Sequence, residues 1–173
     1  MATTYTLISS NTLSSSASSV TFSSIPSTYT DLVLKVSARG DGVSALYLMA
    51  QFNSTTTGYS NTNLYGDGAS AYSSSNTITN AVFAGSLDGA SQTASTFINT
   101  EIYVPSYTVS QNKPVNAFGA LETNSASSAG ARWLGTYANL WSNTAAINTI
   151  LVKPNSGNFV SGSSFYLYGV KNS

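Results

Sequence analysis

The chain of 173 residues contains no cysteine and no histidine. Disulfides, thiolate nucleophiles, the common zinc sites and histidine-based triads are therefore excluded. A chain without thiols carries no information about redox compartment. Charge is scarce as well: 7% of residues are charged, where an ordinary soluble domain has about a quarter. Six basic and six acidic residues cancel to a formal net charge of zero. Such a surface lacks the basic footprint that nucleic-acid binding needs. It also lacks a Lys/Arg-rich amphipathic segment for a membrane surface. No apolar run approaches about 18 residues, so no membrane span is expected. The opening residues MATTYTLISS show neither a basic n-region nor an apolar h-region, so no signal peptide is expected.

What remains is ordinary in hydrophobicity, at 42%, and 12% aromatic. Disorder goes with low hydrophobicity and high net charge, so this chain is expected to fold. Its length suits one domain with a proper core. Serine, threonine, asparagine and glycine fill the surface in place of charges. A net charge near zero does little against self-association, which points to a protein that works inside an assembly.

The best-patterned stretch is Val20 to Arg39. Val20 and Phe22 start it, and Ile25-Pro26 leads into a polar turn. From Asp31 the chain alternates: Leu32, Leu34, Val36 and Ala38 on one face, Val33, Lys35, Ser37 and Arg39 on the other. Period two over this length is a strand with one face on a core. Its register is specified, because a slip of one residue exchanges the faces. Tyr29 stands ready to cap the end of that core.

Further short strands follow. Ala45 to Asn53 carries Leu46, Leu48, Ala50 and Phe52 on one face and Tyr47 and Met49 on the other, so both faces are apolar. Ser54 to Ser75 reads as a long polar loop, with Leu64-Tyr65 as a short pinning strand within it. Strands are expected over Thr77 to Phe83, Thr96 to Val104, Lys113 to Leu121, Arg132 to Trp141, Ile147 to Val152 and Ser164 to Val170. Ser125 to Ala131 is a small-residue turn. No segment has sustained helical periodicity and no internal repeat is visible. The pattern predicts an all-β fold: a single antiparallel β-sandwich, jelly-roll-like. Residues 1–19 form an N-terminal arm or edge strands, and residues 20–173 the sandwich domain.

Chemistry-bearing groups are few. The six carboxylates are Asp31, Asp41, Asp67, Asp88, Glu101 and Glu122. A glycosidase pair among them is conceivable, yet Asp31, Asp41 and Asp88 fall at strand ends or glycine turns. No enzymatic activity and no cofactor or metal is expected. Arg39-Gly40-Asp41 spells an adhesion tripeptide, and Gly40-Asp41-Gly42 is equally a turn. Asn61, Asn63 and Asp67 offer alternate oxygens, as calcium loops do, without the closing glutamate. Asn53-Ser54-Thr55 is a formal glycosylation acceptor. On the strand from Arg132, Leu134, Ala138 and Leu140 share one face and Trp133, Tyr137 and Trp141 the other. That aromatic stripe is either a second buried face or an open patch for a partner subunit or a sugar ring. Tyr5, Leu7, Tyr47, Met49 and Tyr65 are further interface or ligand candidates, and Tyr103, Tyr166 and Tyr168 extend the set.

The pattern F-x-x-I-P-x-x-Y-x-D-L-x-L-x-x-x-x-R, here Phe22 through Arg39, resembles the start of a group of small virion proteins of tailed phages, common among phages of cyanobacteria and marine bacteria. The group continues with L-x-x-x-F-N, here Leu48 to Asn53. It ends in F-x-x-G-S-x-F-x-L-Y-G, here Phe159 to Gly169. The resemblance implies a β-sandwich virion component and brings no catalytic residues. Foremost among its roles is capsid decoration (cement) on the outer capsid surface, binding between major capsid proteins, with the chain itself a homo-oligomer such as a trimer. The alternative is a head-fibre or tail module that binds a host-surface glycan; a minor capsid-lattice or tail-tube component comes third. In the decoration reading, an N-terminal arm from Ala2 to Leu13 adds a strand to a neighbour's sheet.

Overall fold

The structure, a computed structural model, describes residues 4–43, 46–124 and 132–171. The turn expected over 125–131 lies outside them, as do Ala2 and Ala45. Twelve strands are present among the described residues: β1 (Tyr5–Thr12), β2 (Val20–Phe22), β3 (Asp31–Ala38), β4 (Leu46–Phe52), β5 (Tyr59–Gly66), β6 (Ala71–Ser75), β7 (Val82–Leu87), β8 (Ile98–Val104), β9 (Lys113–Glu122), β10 (Arg132–Trp141), β11 (Ile150–Pro154) and β12 (Ser164–Val170). No helix occurs among those residues.

All pairings are antiparallel. One sheet has the order β1-β12-β3-β8-β9-β10-β5-β6, the other β2-β11-β4-β7. The quartets β1-β12-β3-β8 and β2-β11-β4-β7 are the two layers of a jelly roll, eight strands in two Greek keys. The hairpins β5–β6 and β9–β10 are insertions into its connections. They add four strands to one layer and none to the other.

β3 sits where its alternation placed it. Leu32, Leu34, Val36 and Ala38 are buried, while Lys35 and Ser37 are exposed. Val33 lies on the outer face yet is buried, because Tyr103 and Tyr168 stand opposite it on the neighbouring strands. The Asp31 carboxylate is buried and accepts hydrogen bonds from Tyr103 Oη and Ser106 N, both at 2.9 Å. Tyr29 does cap this end. Its ring lies so close over Gly169 that any Cβ there would fall inside contact distance of the ring carbons. The first and last patterns of the chain therefore interlock, with Thr30 N donating to Val170 O at 2.8 Å.

Several segments differ from the sequence reading. Residues 59–75 are not a loop but the β5–β6 hairpin. Its alternation is real but polar: Tyr59, Asn61 and Asn63 turn inward, Ser60, Thr62 and Leu64 outward. Hydrophobic periodicity has nothing to register in such a strand. The strand expected over 77–83 begins at Val82, and the one expected over 147–152 runs from Ile150 to Pro154. Residues 5–12 do not form a free arm. They pair with β12 of the same chain, leaving β1 as an edge strand. Backbone groups of β12 would otherwise lack partners on that side. Leu13 N to Ser163 O and Lys171 N to Thr4 O close the two ends.

The core between the sheets is aromatic. Trp141 stacks on Tyr59 (centroids 6.2 Å apart) and meets Phe52 edge-on. Tyr137 meets Phe83 edge-on, and Phe83 in turn meets Tyr47. Between Tyr47↔Ser86 and Met49↔Phe83 the register advances two residues on β4 and three on β7. That bulge holds Gly85 at φ +115°, with the Tyr137 ring 3.1 Å from where a Cβ would sit. Glycine is required there by both conformation and space.

Candidate functional site

The aromatic stripe of β10 is core, which corrects the reading of it as an open platform. Tyr137 and Trp141 are fully buried, and Trp133 is partly buried with its Nε1 donating to Tyr137 Oη. Met49 is buried and Tyr47 partly so. The physical reason is the four-stranded sheet, which lies over this face, with β7 packed across β9 and β10. The face expected to point inward points out instead. Leu134 is 56% exposed, Phe118 on β9 54% and Leu64 on β5 57%.

These residues belong to a continuous outer surface. Cross-strand register aligns one row over all eight strands of the large sheet: Ser10, Tyr166, Lys35, Glu101, Phe118, Thr136, Leu64 and Ser73. Lys35 and Glu101 pair at 3.2 Å, both about half exposed, and neutralise each other. Phe118 stands at the centre. On one side of it a shallow depression of about 320 Å³ is lined by Leu64, Ala71, Leu134 and Thr136; on the other, one of about 340 Å³ is lined by Lys35, Asn99 and Glu101. Asn99, Asn116, Ala120, Ala138 and Tyr166 stand around them, and Glu122 and Arg132 lie opposite each other at one end of β9 and β10. Of the earlier candidates, Tyr5 and Leu7 lie at the far edge of this sheet, half exposed, with Tyr5 edge-on to Tyr168.

Sequence reading missed Phe118, Leu64 and Leu134. One signal was present: β9 alternates small residues (Ala117, Gly119) with larger ones (Phe118), and the small ones are inside. They must be small, because a Cβ on Gly119 would sit 3.1 Å from Thr100 Oγ1 and 3.3 Å from the Ala84 carbonyl.

Tyr65 occupies the other face of β5. It stacks between Trp133 (4.0 Å, interplanar 16°) and Tyr72 (5.3 Å, 24°). Beside this stack an apolar cavity of about 350 Å³ is lined by Gly68, Leu121, Glu122, Arg132 and Trp133.

The motif-like groups resolve into structural roles. Arg39 is buried and cannot serve an adhesion tripeptide. Its Nη2 donates to the carbonyls of Gly89 (2.7 Å) and Gln92 (3.0 Å), and its Nη1 to those of Thr93 (2.8 Å) and Thr96 (3.1 Å). Asp88 Oδ2 lies 3.5 Å from Nη1. Burial pushes the Asp88 carboxyl above its ordinary value, against the hydrogen bond from Thr96 and the charge of Arg39. Asp41 is exposed and accepts Asn158 N (2.7 Å) and Nδ2 (2.9 Å), which hold it below its ordinary value.

Asn61, Asn63 and Asp67 do not converge as a calcium loop would. Asn61 accepts from Thr77 N and donates to the Ile78 carbonyl; Asn63 donates to Thr77 Oγ1. Asp67 closes the hairpin turn through Ala69 N and Ser70 N. No group of three or more acidic side chains that could hold a metal ion is found among the described residues. Asn53, read as a glycosylation acceptor, has its amide engaged: Nδ2 donates to the Ala146 carbonyl, and Oδ1 accepts from Asn148 N and Thr149 N. Glu122 accepts from Asn124 N. Lys113 is fully buried, its Nζ donating to the carbonyls of Val109, Gln111 and Thr144; burial lowers its pKa. No protein-family model and no curated protein sequence matches the chain.

Proposed function

We propose that the protein is a structural component of a phage virion, seated on the outer capsid surface, where it binds between major capsid proteins and stabilises the shell. The observation that carries this reading is the outer face of the large sheet. Its charges are few, with Lys35 and Glu101 paired and Glu122 and Arg132 opposite each other at one end of β9 and β10; it is apolar at its centre and hydroxyl- and amide-rich around it. Groups of that kind are buried with hydrogen bonds at lower desolvation cost than unpaired charges. Eight strands about 4.8 Å apart and some seven residues long present on the order of 800 Å², about one partner's share of a stable interface.

Two further points support it. The patterns that carry the resemblance interlock through Tyr29 and Gly169. Each of the six carboxylates serves a turn, a buried network or an ion pair, which leaves no evident acid–base pair and favours a non-enzymatic role. Jelly rolls also occur in viral capsids, an analogy at the level of fold alone. The mechanism is mechanical: a rigid sandwich bridging two capsid subunits raises the cost of separating them.

Co-sedimentation of the purified protein with empty capsids tests this. The double variant Phe118→Asp/Leu134→Asp should fold normally, bind at least about 10-fold more weakly, as expected when a central apolar anchor is lost, and leave particles as heat-sensitive as those lacking the protein. Unchanged heat or osmotic resistance of particles without the protein refutes the proposal. A second reading, glycan binding on a head or tail fibre, now rests on the Trp133–Tyr65–Tyr72 stack beside the Arg132 cavity. Glycan-array binding lost in Tyr65→Ala with the fold intact would favour it.

A further inference from the structure

Every open sheet has edges, and proteins protect them by shortness, bulges, charge, proline or covering chain. Three of the four edges here carry such a device. β2 has three residues, β1 is bulged between Leu7 and Ser9, and all six residues of β7 are buried. β6 has none. Its sequence, Ala71-Tyr72-Ser73-Ser74-Ser75, contains no charge and no proline, and it pairs with β5 in unbroken register. Four of its five residues are exposed. Among the described residues β5 is its one strand neighbour, and no strand pairs with its other side.

The aromatic stack says what fits there. Trp133, Tyr65 and Tyr72 stand on β10, β5 and β6 in turn, and the ladder runs outward from the core to a ring 42% exposed on the edge strand. Tyr72 Oη donates to Asp67 Oδ2 at 3.2 Å, so the ring is already held in place. Among the described residues, no other ring stacks on Tyr72.

We infer that β6 is a homodimer interface, pairing antiparallel with β6 of a second copy about a two-fold axis through Tyr72. An antiparallel edge is self-complementary, so the same patch serves both copies. With Tyr72 opposite itself, Ala71 of each copy lies opposite Ser73 of the other. The ladder then continues from three rings to six. The two-fold axis sets the Asp67 carboxylates on opposite sides of it, each engaged by its own copy's Tyr72 hydroxyl, so they do not face each other. Main-chain hydrogen bonds supply affinity, as in strand addition generally. The contact is small, so association in the micromolar range is expected. It is independent of the proposed virion role, because it forms in the purified protein.

Sedimentation equilibrium at about 100 µM should give twice the 18.0 kDa chain mass. Tyr72→Lys sets like charges face to face and should raise the dissociation constant at least about 10-fold while the far-ultraviolet circular dichroism of the folded chain is kept. The register has its own readout, since the chain has no cysteine. In an oxidised mixture of Ala71→Cys and Ser73→Cys proteins, the mixed disulfide should dominate over either symmetric one. A monomer at 100 µM, a mass of three chains, a dimer indifferent to Tyr72→Lys, or symmetric disulfides in excess would each overturn the pairing.

Discussion

Arg39→Lys keeps a positive charge beside Asp88 but replaces a rigid two-nitrogen fork with one nitrogen on a flexible stem. In the native chain the fork divides the connection from β7 to β8 between its ends. Nη2 takes Gly89 and Gln92, and Nη1 takes Thr93 and Thr96. A single ammonium reaches one of these pairs. Hydrogen bonds to a charged group contribute about 1.5–3 kcal/mol each and do not simply add, so losing two costs about 2–4 kcal/mol. Arg39→Met also leaves the buried Asp88 without its counter-charge, and breaking a buried pair costs about 3–5 kcal/mol. A domain holds about 5–15 kcal/mol in all, so this variant should be near the limit of folding. Adding Asp88→Leu to Arg39→Met removes the stranded charge and should restore part of the loss. Urea unfolding, followed by the fluorescence of Trp133 and Trp141, gives the midpoints and slopes. The expected order is wild type, then Arg39→Lys, then Arg39→Met, with the double variant above Arg39→Met. Arg39→Lys within about 0.5 kcal/mol of wild type, the range of an ordinary surface change, would refute the clamp. So would a double variant no more stable than Arg39→Met.

Gly169→Ala drives a methyl group into the Tyr29 ring and should cost about 1–3 kcal/mol; differential scanning calorimetry should show Tyr29→Ala/Gly169→Ala melting above Gly169→Ala alone. Asp41 is held below its ordinary value of 3.8, first by the Asn158 backbone N–H and then by its side chain. A lowered pKa stabilises the fold above the unfolded value, and that contribution is lost as pH falls through the folded one. The stability advantage of wild type over Asp41→Asn should therefore be constant from pH 7 to about 5 and shrink below about 4; an advantage unchanged at pH 3 contradicts the Asn158 bonds. Asp88, raised by burial, works the other way: its contribution is fully present below 3.8 and is lost as pH rises through its folded value. Burial also lifts the Tyr137 hydroxyl to about 12, so alkaline absorbance titration should show a tyrosine that ionises well after the exposed ones.

Alternation alone was enough to read β3, β9, β10 and β12, because each has a face that must be buried and a period that fixes which residues share it. It was also enough for the all-β sandwich, since nothing in the chain supports a helix. Composition excluded thiol, histidine and zinc chemistry outright. Period two, however, does not say which face is in. On β10 it grouped Leu134 with Ala138 and Trp133 with Tyr137 and Trp141. Only the second sheet, laid over the aromatic side, made the aromatics core and left Leu134 in the open. The same packing forced Ala117 and Gly119 to be small and so turned Phe118 outward. β5 was illegible for the opposite reason: the Asn61 amide and the Asn63 Nδ2 on its inward face bond to residues 74–78, partners that exist only once the hairpin closes. Arg39 looked like half of an adhesion motif until the β7–β8 connection wrapped around it. A sequence determines which residues travel together on a strand face; which face meets solvent, and therefore where a partner can bind, is decided by what the rest of the chain stacks against it.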